Sequence, residues 1–236
     1  MKPRVILTKN AELDRAMGGI PIPSVTLIEG ENDTGKSLLA YHLTIGALSV
    51  GLTVRYITTE TTVKGLVAQV SELCDDVVHH FITGRFSVTA IHTERIRWDR
   101  RVAKYYLAAI LSFVKSPRGA ADFTVIDSIT HVAAHAEEKD ILSFFSELMR
   151  YIYSSASAAI ITIHPFAFNE ELLVRIRSVC DGHILLHKKI LRGSEIVRTL
   201  EVAKMEGAPL SAEKVVFFKV EPCFGIKVIP VSQVRA

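Results

Sequence analysis

The feature that most constrains the fold of this chain is a glycine-bounded loop at residues 30–37. The stretch reads Gly-Glu-Asn-Asp-Thr-Gly-Lys-Ser and matches the pattern GxxxxGK[ST] at every fixed position. An apolar segment, SVTLIE (24–29), precedes it, and a helical pattern (36–50) follows it. Loops of this pattern between a strand and a helix cradle phosphate groups. The pattern therefore predicts a nucleotide-binding α/β domain.

Each fixed residue of the loop has a physical task at a phosphate group. Gly30 and Gly35 permit backbone angles that point successive N–H groups at phosphate oxygens. Lys36 supplies positive charge, and the Ser37 hydroxyl can coordinate Mg²⁺. The N-terminus of the following helix adds its positive end to the anion site. We expect the nucleotide to be bound by Gly30, Asn32, Asp33, Thr34, Gly35, Lys36, Ser37 and Leu38.

Two acidic residues, Glu31 and Asp33, lie inside this loop. A carboxylate that faced the phosphates would weaken nucleotide binding by about 1 kcal/mol or more through like-charge repulsion. We therefore expect the loop to present its backbone to the phosphates while both acidic side chains point outward. A contact of these acids with a neighbouring subunit is the alternative.

Strand-like and helical patterns alternate along the first two thirds of the chain. The nearly continuous apolar runs are typical of strands buried on both faces of a parallel sheet. They lie at 24–29, 53–59, 122–127 and 158–163. Helices are predicted at 36–50, 62–73, about 99–115 and about 138–154.

The last third of the chain changes character. Strand-like runs follow one another at shorter spacing, joined by turns such as Arg192-Gly193-Ser194. This spacing indicates antiparallel strands. We predict an α/β fold with a mainly parallel central sheet flanked by helices and a β-rich antiparallel C-terminal extension, in a single domain over residues 1–236.

Composition limits the classes of function and location. The 236 residues carry a formal net charge of +3, which does not require a nucleic-acid partner. Cys74, Cys180 and Cys223 lie far apart without a CxxC pair, which favours reduced thiols in a cytosolic protein. The N-terminus lacks the apolar core of a signal peptide, and no apolar run approaches the roughly 18–20 residues that span a bilayer. We expect a cytoplasmic protein that meets a membrane only through partners.

Two carboxylates follow predicted strands and suit nucleotide chemistry. Asp127 ends the strand in FTVIDS, where an acid can hold Mg²⁺ through water beside Ser37. Glu60 ends the strand in YITTE, where a base can orient an attacking water. Because the residue after Asp127 is Ser128, Glu60 is the candidate for a water-positioning or nucleotide-sensing role. The alternative for Asp127 is an aspartate that caps the loop after the strand. The alternative for Glu60 is a surface glutamate that caps the next helix.

His164 follows another predicted core strand, in IITIHP. Parallel sheets gather ligand groups at the carboxyl ends of their strands. His164 is therefore a candidate sensor of the terminal phosphate. A histidine that closes the strand with a backbone hydrogen bond is the alternative.

Two further patterns carry weaker predictions. The segment HTERIRWDRRVAKYY (92–106) is compatible with a solvated helix face, a protein interface, or binding of nucleic acid or acidic lipid. Its basic residues are Arg95, Arg97, Arg100, Arg101 and Lys104, beside Trp98, Tyr105 and Tyr106. His131 and His135 have the helical spacing of metal ligands, but no third ligand is evident nearby, so we do not predict a metal site there.

The segment ELDRAMGGIPIPSVTLIEGENDTGKS (12–37) resembles the opening of KaiC-like ATPases of the RecA superfamily. Within that group, YITTE, FTVIDS, IITIHP and the terminal GIKVIPVSQVRA make the chain similar to the FlaH (ArlH) family of the archaellum over essentially its whole length. The resemblance implies a RecA-like P-loop fold, ATP and Mg²⁺ as cofactors, and a place at the cytoplasmic base of the archaeal motility filament.

The same resemblance implies partners and residue roles. The partners are the motor ATPase FlaI, the membrane platform protein FlaJ and a ring scaffold protein, with the chain itself in a hexameric homo-oligomer and no nucleic acid. Residues Gly30–Ser37 would carry the phosphates, Asp127 the Mg²⁺ shell, and Glu60 the catalytic or switching position.

Two departures from the KaiC pattern bear on turnover. KaiC-like chains have paired glutamates after the second strand, whereas two threonines follow Glu60 here. They also carry a Lys-x-Arg that reaches the ATP of the neighbouring subunit, whereas this chain reads Lys204-Met205-Glu206. The loss of an arginine finger removes roughly 10³-fold or more in rate. We therefore predict a nucleotide-dependent regulator of the motor ATPase with slow or no intrinsic hydrolysis.

The alternative function is a RecA/RadA-type, DNA-dependent recombination ATPase. Such proteins carry a mobile DNA-binding loop after the fourth core strand. Here the corresponding segment, HPFAFNEELLVRIRS, begins acidic and becomes helical, which suits DNA poorly. A small-molecule kinase is a third possibility, but no arginine-rich lid segment is evident.

Overall fold

A mainly parallel β-sheet organises the chain. The computed structural model describes residues 5–94, 96–116, 120–190, 196–208 and 215–230. Within these ranges nine strands form one sheet, and a two-stranded ribbon lies near the N-terminus. Helices pack on both faces of the sheet, so the fold has three layers.

The strands fall into a parallel part and an antiparallel part. In chain order they are β1 (Val5–Ile6), β2 (Ile20–Pro21), β3 (Ser24–Gly30), β4 (Val54–Thr58), β5 (Phe86–Ala90), β6 (Phe123–Asp127), β7 (Ala158–Ile163), β8 (Gly182–Ile190), β9 (Ile196–Met205), β10 (Val215–Glu221) and β11 (Gly225–Ile229). β1 and β2 form the ribbon, and the sheet order is β11-β10-β9-β8-β3-β7-β6-β4-β5. The strands from β8 to β5 in that order are parallel, whereas β8, β9, β10 and β11 pair antiparallel.

The helices divide between the two faces of the sheet. In chain order they are α1 (Ala11–Met17), α2 (Lys36–Ser49), α3 (Val63–Ser71), α4 (Val77–Ile82), α5 (Arg100–Lys115), α6 (Thr130–Ala133), α7 (Glu138–Ser155) and α8 (Glu170–Val179), with a 3₁₀ turn at Pro165–Ala167. Helices α1 to α4 contribute to the hydrophobic core on one face, and α5 to α8 contribute to the core on the other.

Alternate residues of the central strands point into these two cores. In β7, Ala158 and Ile160 belong to the core that contains α2, whereas Ala159, Ile161 and Ile163 belong to the core of α5 to α8. Because successive side chains of a strand point to opposite faces, a strand covered on both sides must be apolar at nearly every position. This explains why the central strands appear in the sequence as continuous apolar runs.

Helix α2 carries the second half of the glycine loop and is buried almost all around. The sheet covers one side, and β1 and β11 contact other parts of the helix. At Gly46 the helix touches the backbone of Leu7 so closely that a Cβ atom would collide with its carbonyl oxygen. Glycine is therefore needed there for the helix to approach the N-terminal segment, and this contact helps to place the N-terminus of α2 at the site.

The predicted fold class is confirmed: the sheet is mainly parallel, helices flank it, and the C-terminal strands are antiparallel. The four predicted core strands correspond to β3, β4, β6 and β7, each within one residue at either end. The short edge strand β5 was not predicted, since only Phe86 among its residues is buried and the apolar signal is weak. The predicted turn at Arg192–Ser194 and the terminal VSQVRA lie outside the described residues.

No helix in the described ranges combines the length and the apolar composition that crossing a membrane requires.

Glu29, the residue before the glycine loop, is held in a buried ion-pair cluster. Its side chain is 5% exposed and accepts hydrogen bonds from Arg177 of α8, at 2.7 Å from Nη2 and 3.0 Å from Nε. His183 Nε2 of β8 lies 3.0 Å from the same carboxylate. Burial raises the pKa of Glu29, but the hydrogen bonds with His183 and Arg177 outweigh it and lower the pKa to about 2. The cluster joins β3, β8 and α8 immediately before the loop.

We expect Glu29→Gln to lower the free energy of unfolding at pH 7 by about 2–3 kcal/mol. The pKa of this carboxyl is lower in the folded chain than its ordinary value of 4.5. Its stabilising contribution is therefore complete above about pH 4.5 and is lost as the pH falls towards 2. Urea unfolding at pH 7, 4 and 3 should show the difference between wild type and variant shrinking with pH.

Glu170→Gln is the matched control for this prediction. This substitution removes the second acidic partner of Arg177. The Glu170 side chain is 71% exposed, and its Oε1 lies 2.6 Å from Arg177 Nη1. An exposed pair of this kind contributes about 0–1 kcal/mol. If Glu29→Gln lowers the free energy of unfolding by the same amount at pH 7 and at pH 3, the assigned role of the buried carboxylate is contradicted.

Candidate functional site

A cleft of about 490 Å³ opens where the carboxyl ends of the parallel strands meet. β3 leads into the glycine loop, β4 into Glu60, β6 into Ser128 and β7 into His164. This edge of a parallel sheet is where ligands bind in α/β folds. The cleft is lined by Asn32, Asp33, Thr34, Gly35, Lys36, Ser37, Leu38, Tyr41, Glu60, Thr61, Gln69, Asp127, His164, Arg198 and Val220.

The structure brings the predicted site residues together. Every residue predicted to bind nucleotide or metal, or to act in catalysis, lines the cleft except Gly30, which begins the loop. Sequence reasoning did not identify Tyr41, Thr61, Gln69, Arg198 and Val220. These residues carry no motif of their own, and folding brings them to the cleft from α2, α3, β9, β10 and the segment after β4.

The loop has the shape and the donors of a phosphate site. Gly35 is the N-cap of α2 with a left-handed φ of 97°, and in the structure no side chain caps this end of the helix. The first-turn N–H groups therefore have no side-chain acceptor there and can serve an anion. At Gly30, a Cβ atom would lie 2.6 Å from both the Leu186 carbonyl oxygen and Thr34 Oγ1. Glycine at this position lets the end of β3 lie close to both β8 and Thr34 of the loop.

Lys36 is buried and points back across the loop. Its Nζ donates a hydrogen bond of 2.7 Å to the Glu31 carbonyl oxygen and lies 3.4 Å from His164 Nδ1. Burial lowers the pKa of Lys36, while the negative charges of Asp127 and Glu60 oppose the shift. The ammonium is thus held within the loop, among the acids and the histidine of the cleft.

Asp127 is fixed by two hydroxyl groups from neighbouring strands. Tyr56 of β4 donates to Oδ2 at 2.7 Å, and Thr162 of β7 donates to Oδ1 at 2.6 Å. All three side chains are buried. Burial raises the pKa of Tyr56 well above its ordinary value, and the nearby charge of Asp127 adds to this, so the phenol stays a donor. Each carboxylate oxygen keeps acceptor capacity for a water or an ion.

Glu60 is exposed, but hydrogen bonds hold both its carboxylate and its backbone. Ser128, the residue after Asp127, donates from Oγ to Glu60 Oε1 at 2.7 Å. The backbone N–H of Glu60 donates to Thr58 Oγ1 at 3.1 Å. Thr59 ties the same segment to β6, because its Oγ1 donates to the Ser128 carbonyl oxygen at 2.9 Å. The serine that stands beside Asp127 therefore orients the carboxylate that follows β4.

His164 connects the cleft to the elements behind it. Its backbone N–H donates to Thr130 Oγ1 of α6 at 2.9 Å, and its ring lies 5.6 Å from the exposed ring of Phe166 in the 3₁₀ turn. Burial lowers the pKa of His164, and the positive charge of Lys36 lowers it further. A largely neutral imidazole beside the loop lysine can accept or donate a hydrogen bond without adding charge to the cleft.

The acids inside the loop differ in their surroundings. The side chain of Glu31 is exposed, and its carbonyl oxygen accepts from Lys36 and, at 2.8 Å, from Thr34 Oγ1. The side chain of Asp33 is also exposed, as predicted from the sequence, and it pairs with Lys188 and Arg198 of the same chain. The alternative contact of these acids with a neighbouring subunit stays a hypothesis.

The donor set suits a nucleotide with Mg²⁺ better than a metal ion held by protein alone. No group of three or more His, Cys, Asp or Glu side chains in the described part of the chain could hold a metal ion. Mg²⁺ prefers oxygen ligands and is often held by one or two protein groups with phosphates and water. The Ser37 hydroxyl and the Asp127 carboxylate, both lining the cleft, are such groups.

The weaker sequence patterns lie away from the loop. His131 and His135 pack around Trp98, with ring centroids 5.0 and 5.6 Å from the indole. Arg95 of the basic segment lies outside the described residues. Lys204 donates to the Cys180 carbonyl oxygen at 2.7 Å and pairs with Glu206 at 2.9 Å, at the end of β9 away from the cleft.

Comparisons with known proteins agree with this geometry. The profile of a family described as ATPase: KaiC matches residues 7–233. The chain is 35% identical to the archaeal flagellar ATP-binding protein FlaH of Sulfolobus acidocaldarius, over 98% of this chain and 100% of that protein. It is 26% identical to the protein of the same name from Methanocaldococcus jannaschii, over 95% of this chain and 94% of that protein.

Solved structures give the same picture. The crystal structure of the flagellar accessory protein FlaH from Methanocaldococcus jannaschii superposes with a TM-score of 0.80 at 25% identity, covering 98% of this chain and 100% of that one. A KaiC-like protein from Pyrococcus horikoshii has a TM-score of 0.72 at 21% identity, over 98% and 99% of the two chains, which supports the fold alone.

Proposed function

Because this chain belongs to the KaiC-type ATPases and, within them, to the FlaH family of archaeal flagellar ATP-binding proteins, we propose that it binds ATP with Mg²⁺ in the cleft at the sheet edge. We further propose that it acts as a nucleotide-dependent regulator of the archaellum motor, with slow or no intrinsic hydrolysis. One observation carries the proposal: the phosphate loop, Asp127, Glu60 and His164 line one cleft in a chain whose relatives are named for ATP binding.

The residues of the cleft divide the work of binding. The loop amides and the N-terminus of α2 would hold the phosphates, and the Lys36 ammonium would neutralise part of their charge. Ser37 and, through a water molecule, Asp127 would hold Mg²⁺, which when bound would neutralise part of the phosphate charge. Tyr56 and Thr162 keep the Asp127 carboxylate in one orientation for this role.

Two features support slow turnover. Glu60 is the acid proposed to orient a water, and its Oε1 already accepts a hydrogen bond from Ser128 at 2.7 Å. Lys204 is bound within its own chain, to Cys180 and Glu206, and the third residue of that segment is an acid instead of an arginine. Without a finger residue, phosphoryl transfer lacks a contribution that reaches roughly 10³–10⁵-fold.

His164 is the proposed sensor. It lies 3.4 Å from Lys36 Nζ on one side and is bonded to Thr130 of α6 on the other. A phosphate that draws Lys36 away from its present partners would change the surroundings of the imidazole. The change would pass to α6 and to the 3₁₀ turn, whose Phe166 is exposed on the surface. These two elements are the proposed output of the nucleotide state.

The proposed partners follow from the family. We propose that the chain, as one ATP-binding domain over residues 1–236, works at the cytoplasmic base of the archaellum with the motor ATPase FlaI and the platform protein FlaJ. A hexameric ring inside a scaffold protein is the proposed assembly, and its membrane location is peripheral.

The recombination-ATPase alternative is not favoured, because the 3₁₀ turn leads within a few residues into α8, which begins with Glu170 and Glu171.

We expect Lys36→Ala to abolish nucleotide binding, because it removes the buried charge of the loop. We also expect it to abolish nucleotide-dependent association with the motor ATPase. Calorimetric titration with MgATP, and co-sedimentation with the motor ATPase with and without MgATP, test both. Lys64→Ala, which removes an exposed lysine of α3, is the control. If Lys36→Ala associates with the motor ATPase in the same nucleotide-dependent way as the wild type, the proposed switch is rejected. Nucleotide binding is then judged from the titration alone.

We expect tight binding of MgATP with turnover well below about 1 s⁻¹. Steady-state phosphate release and ATP affinity are to be measured on the same sample. Glu60→Gln should leave the affinity within about twofold and remove any residual turnover, with Glu72→Gln of the exposed α3 terminus as control. Turnover of about 1 s⁻¹ or more that disappears in Glu60→Gln would show that the protein is an active ATPase, and it would reject the proposal of a regulator with slow or no hydrolysis.

A further inference from the structure

Asp33 sits inside the phosphate loop in a conformation that few residues adopt. Its φ is 61°, in the left-handed region that costs a non-glycine residue energy and that aspartate and asparagine tolerate best. Both of its acceptor groups are used by one guanidinium: Arg198 Nε donates to the Asp33 carbonyl oxygen and Arg198 Nη2 to its Oδ1, each at 2.8 Å. The strained residue is therefore held at its backbone and its side chain together.

Arg198 is well placed to hold the loop. It lies on β9, its side chain is only 11% exposed, and it lines the cleft. Its Cδ would lie 3.9 Å from a Cβ atom at Gly35, so the side chain runs along the loop from Asp33 to the N-cap of α2. Arginine holds two hydrogen bonds in a fixed planar fork, which a lysine cannot reproduce.

A second cation explains why the acid is needed. Lys188 of β8 stands directly opposite Arg198 of β9 in the sheet register. Like charges in directly opposed positions destabilise a strand pair. The Asp33 carboxylate accepts from both, with Lys188 Nζ 3.2 Å from Oδ2. The acid thus bridges two cations, and its hydrogen bond with Arg198, followed by that with Lys188, lowers the pKa of Asp33 although burial opposes the shift.

We propose that Arg198 is a positioning residue of the nucleotide site: through Asp33 it holds the phosphate loop in its receptive shape, with Lys188 as the auxiliary partner. The inference rests on the proposed binding of ATP in this cleft. The same contacts connect the phosphate loop to β8 and β9, the start of the antiparallel extension.

A competing arrangement makes the opposite prediction for one variant. If Arg198 instead contacts a phosphate directly, Asp33 competes with the phosphate for the guanidinium. Removing the charge of Asp33 would then tighten nucleotide binding. If Arg198 acts through Asp33, removing either partner weakens binding, and removing both does no further harm.

The test is a double-mutant cycle on the Kd for MgATP, with Asp33→Asn, Arg198→Gln and the double variant in the full chain. Asparagine keeps the tolerance for left-handed backbone and removes only the charge. We expect each single variant to raise the Kd by roughly tenfold and the double variant to stay close to the singles, as coupled partners do. Glu221→Gln and Lys227→Gln break an ion pair of 2.8 Å on the same extension, between residues that do not line the cleft, and should leave the Kd unchanged.

The remaining outcomes are distinguishable. A lower Kd in Asp33→Asn, or a double variant that equals the product of the singles, overturns the positioning role. Failure of the unsubstituted chain to bind MgATP overturns the proposed function itself, whereas binding that is unchanged in both variants overturns only this inference. If Arg198→Gln does not fold, Lys188→Gln replaces it. We then expect Lys188→Gln to raise the Kd for MgATP by about two- to threefold in the wild-type background and not at all in the Asp33→Asn background. The same rise in both backgrounds contradicts the bridging role of Asp33.

Discussion

The functional cleft depends first on the hydrogen bonding of β3 between β7 and β8. Ser24–Glu29 pairs with Ala158–Ile163 on one side, and Thr26–Gly30 pairs with Gly182–Leu186 on the other. A slip of one residue in either register would exchange the two faces of the strand and send apolar side chains to the wrong core. The burial of Val25, Leu27 and Ile28 therefore decides where Gly30 ends the strand. Packing far from the chemistry sets the position of the phosphate loop.

Around that fixed loop, the polar groups are held by partners from other strands. Asp127 relies on Tyr56 and Thr162, and Glu60 relies on Ser128. The network around Asp127 is buried, and breaking one of its bonds would leave a buried group without a partner, so this part of the site is rigid. Such rigidity suits a site that retains a nucleotide and reports its presence more than a site that must rearrange in rapid cycles.

The sequence and the structure contribute different parts of this picture. The loop, Asp127, Glu60 and the core strands could be predicted, because each depends on a local pattern: fixed glycine spacing, or an acid at the end of an apolar run. Arg198 could not, since the residue it holds is 165 positions away in the chain and an arginine in a strand has no local signature. The same holds for the bond from Ser128 to Glu60, which joins residues 68 positions apart. Edge strand β5 was missed because a half-exposed strand has little apolar periodicity.

Trp98 is the only tryptophan of the chain. Its indole is stacked on His135 at an interplanar angle of 16° and meets His131 edge-on, and His131 lies on α6, directly after the segment of Asp127 and Ser128. The emission of an indole is sensitive to imidazole rings in contact with it. The protein thus contains a fluorescent reporter of its own beside α6, and the emission of the unlabelled chain would register any change in the packing of His131 and His135 against Trp98.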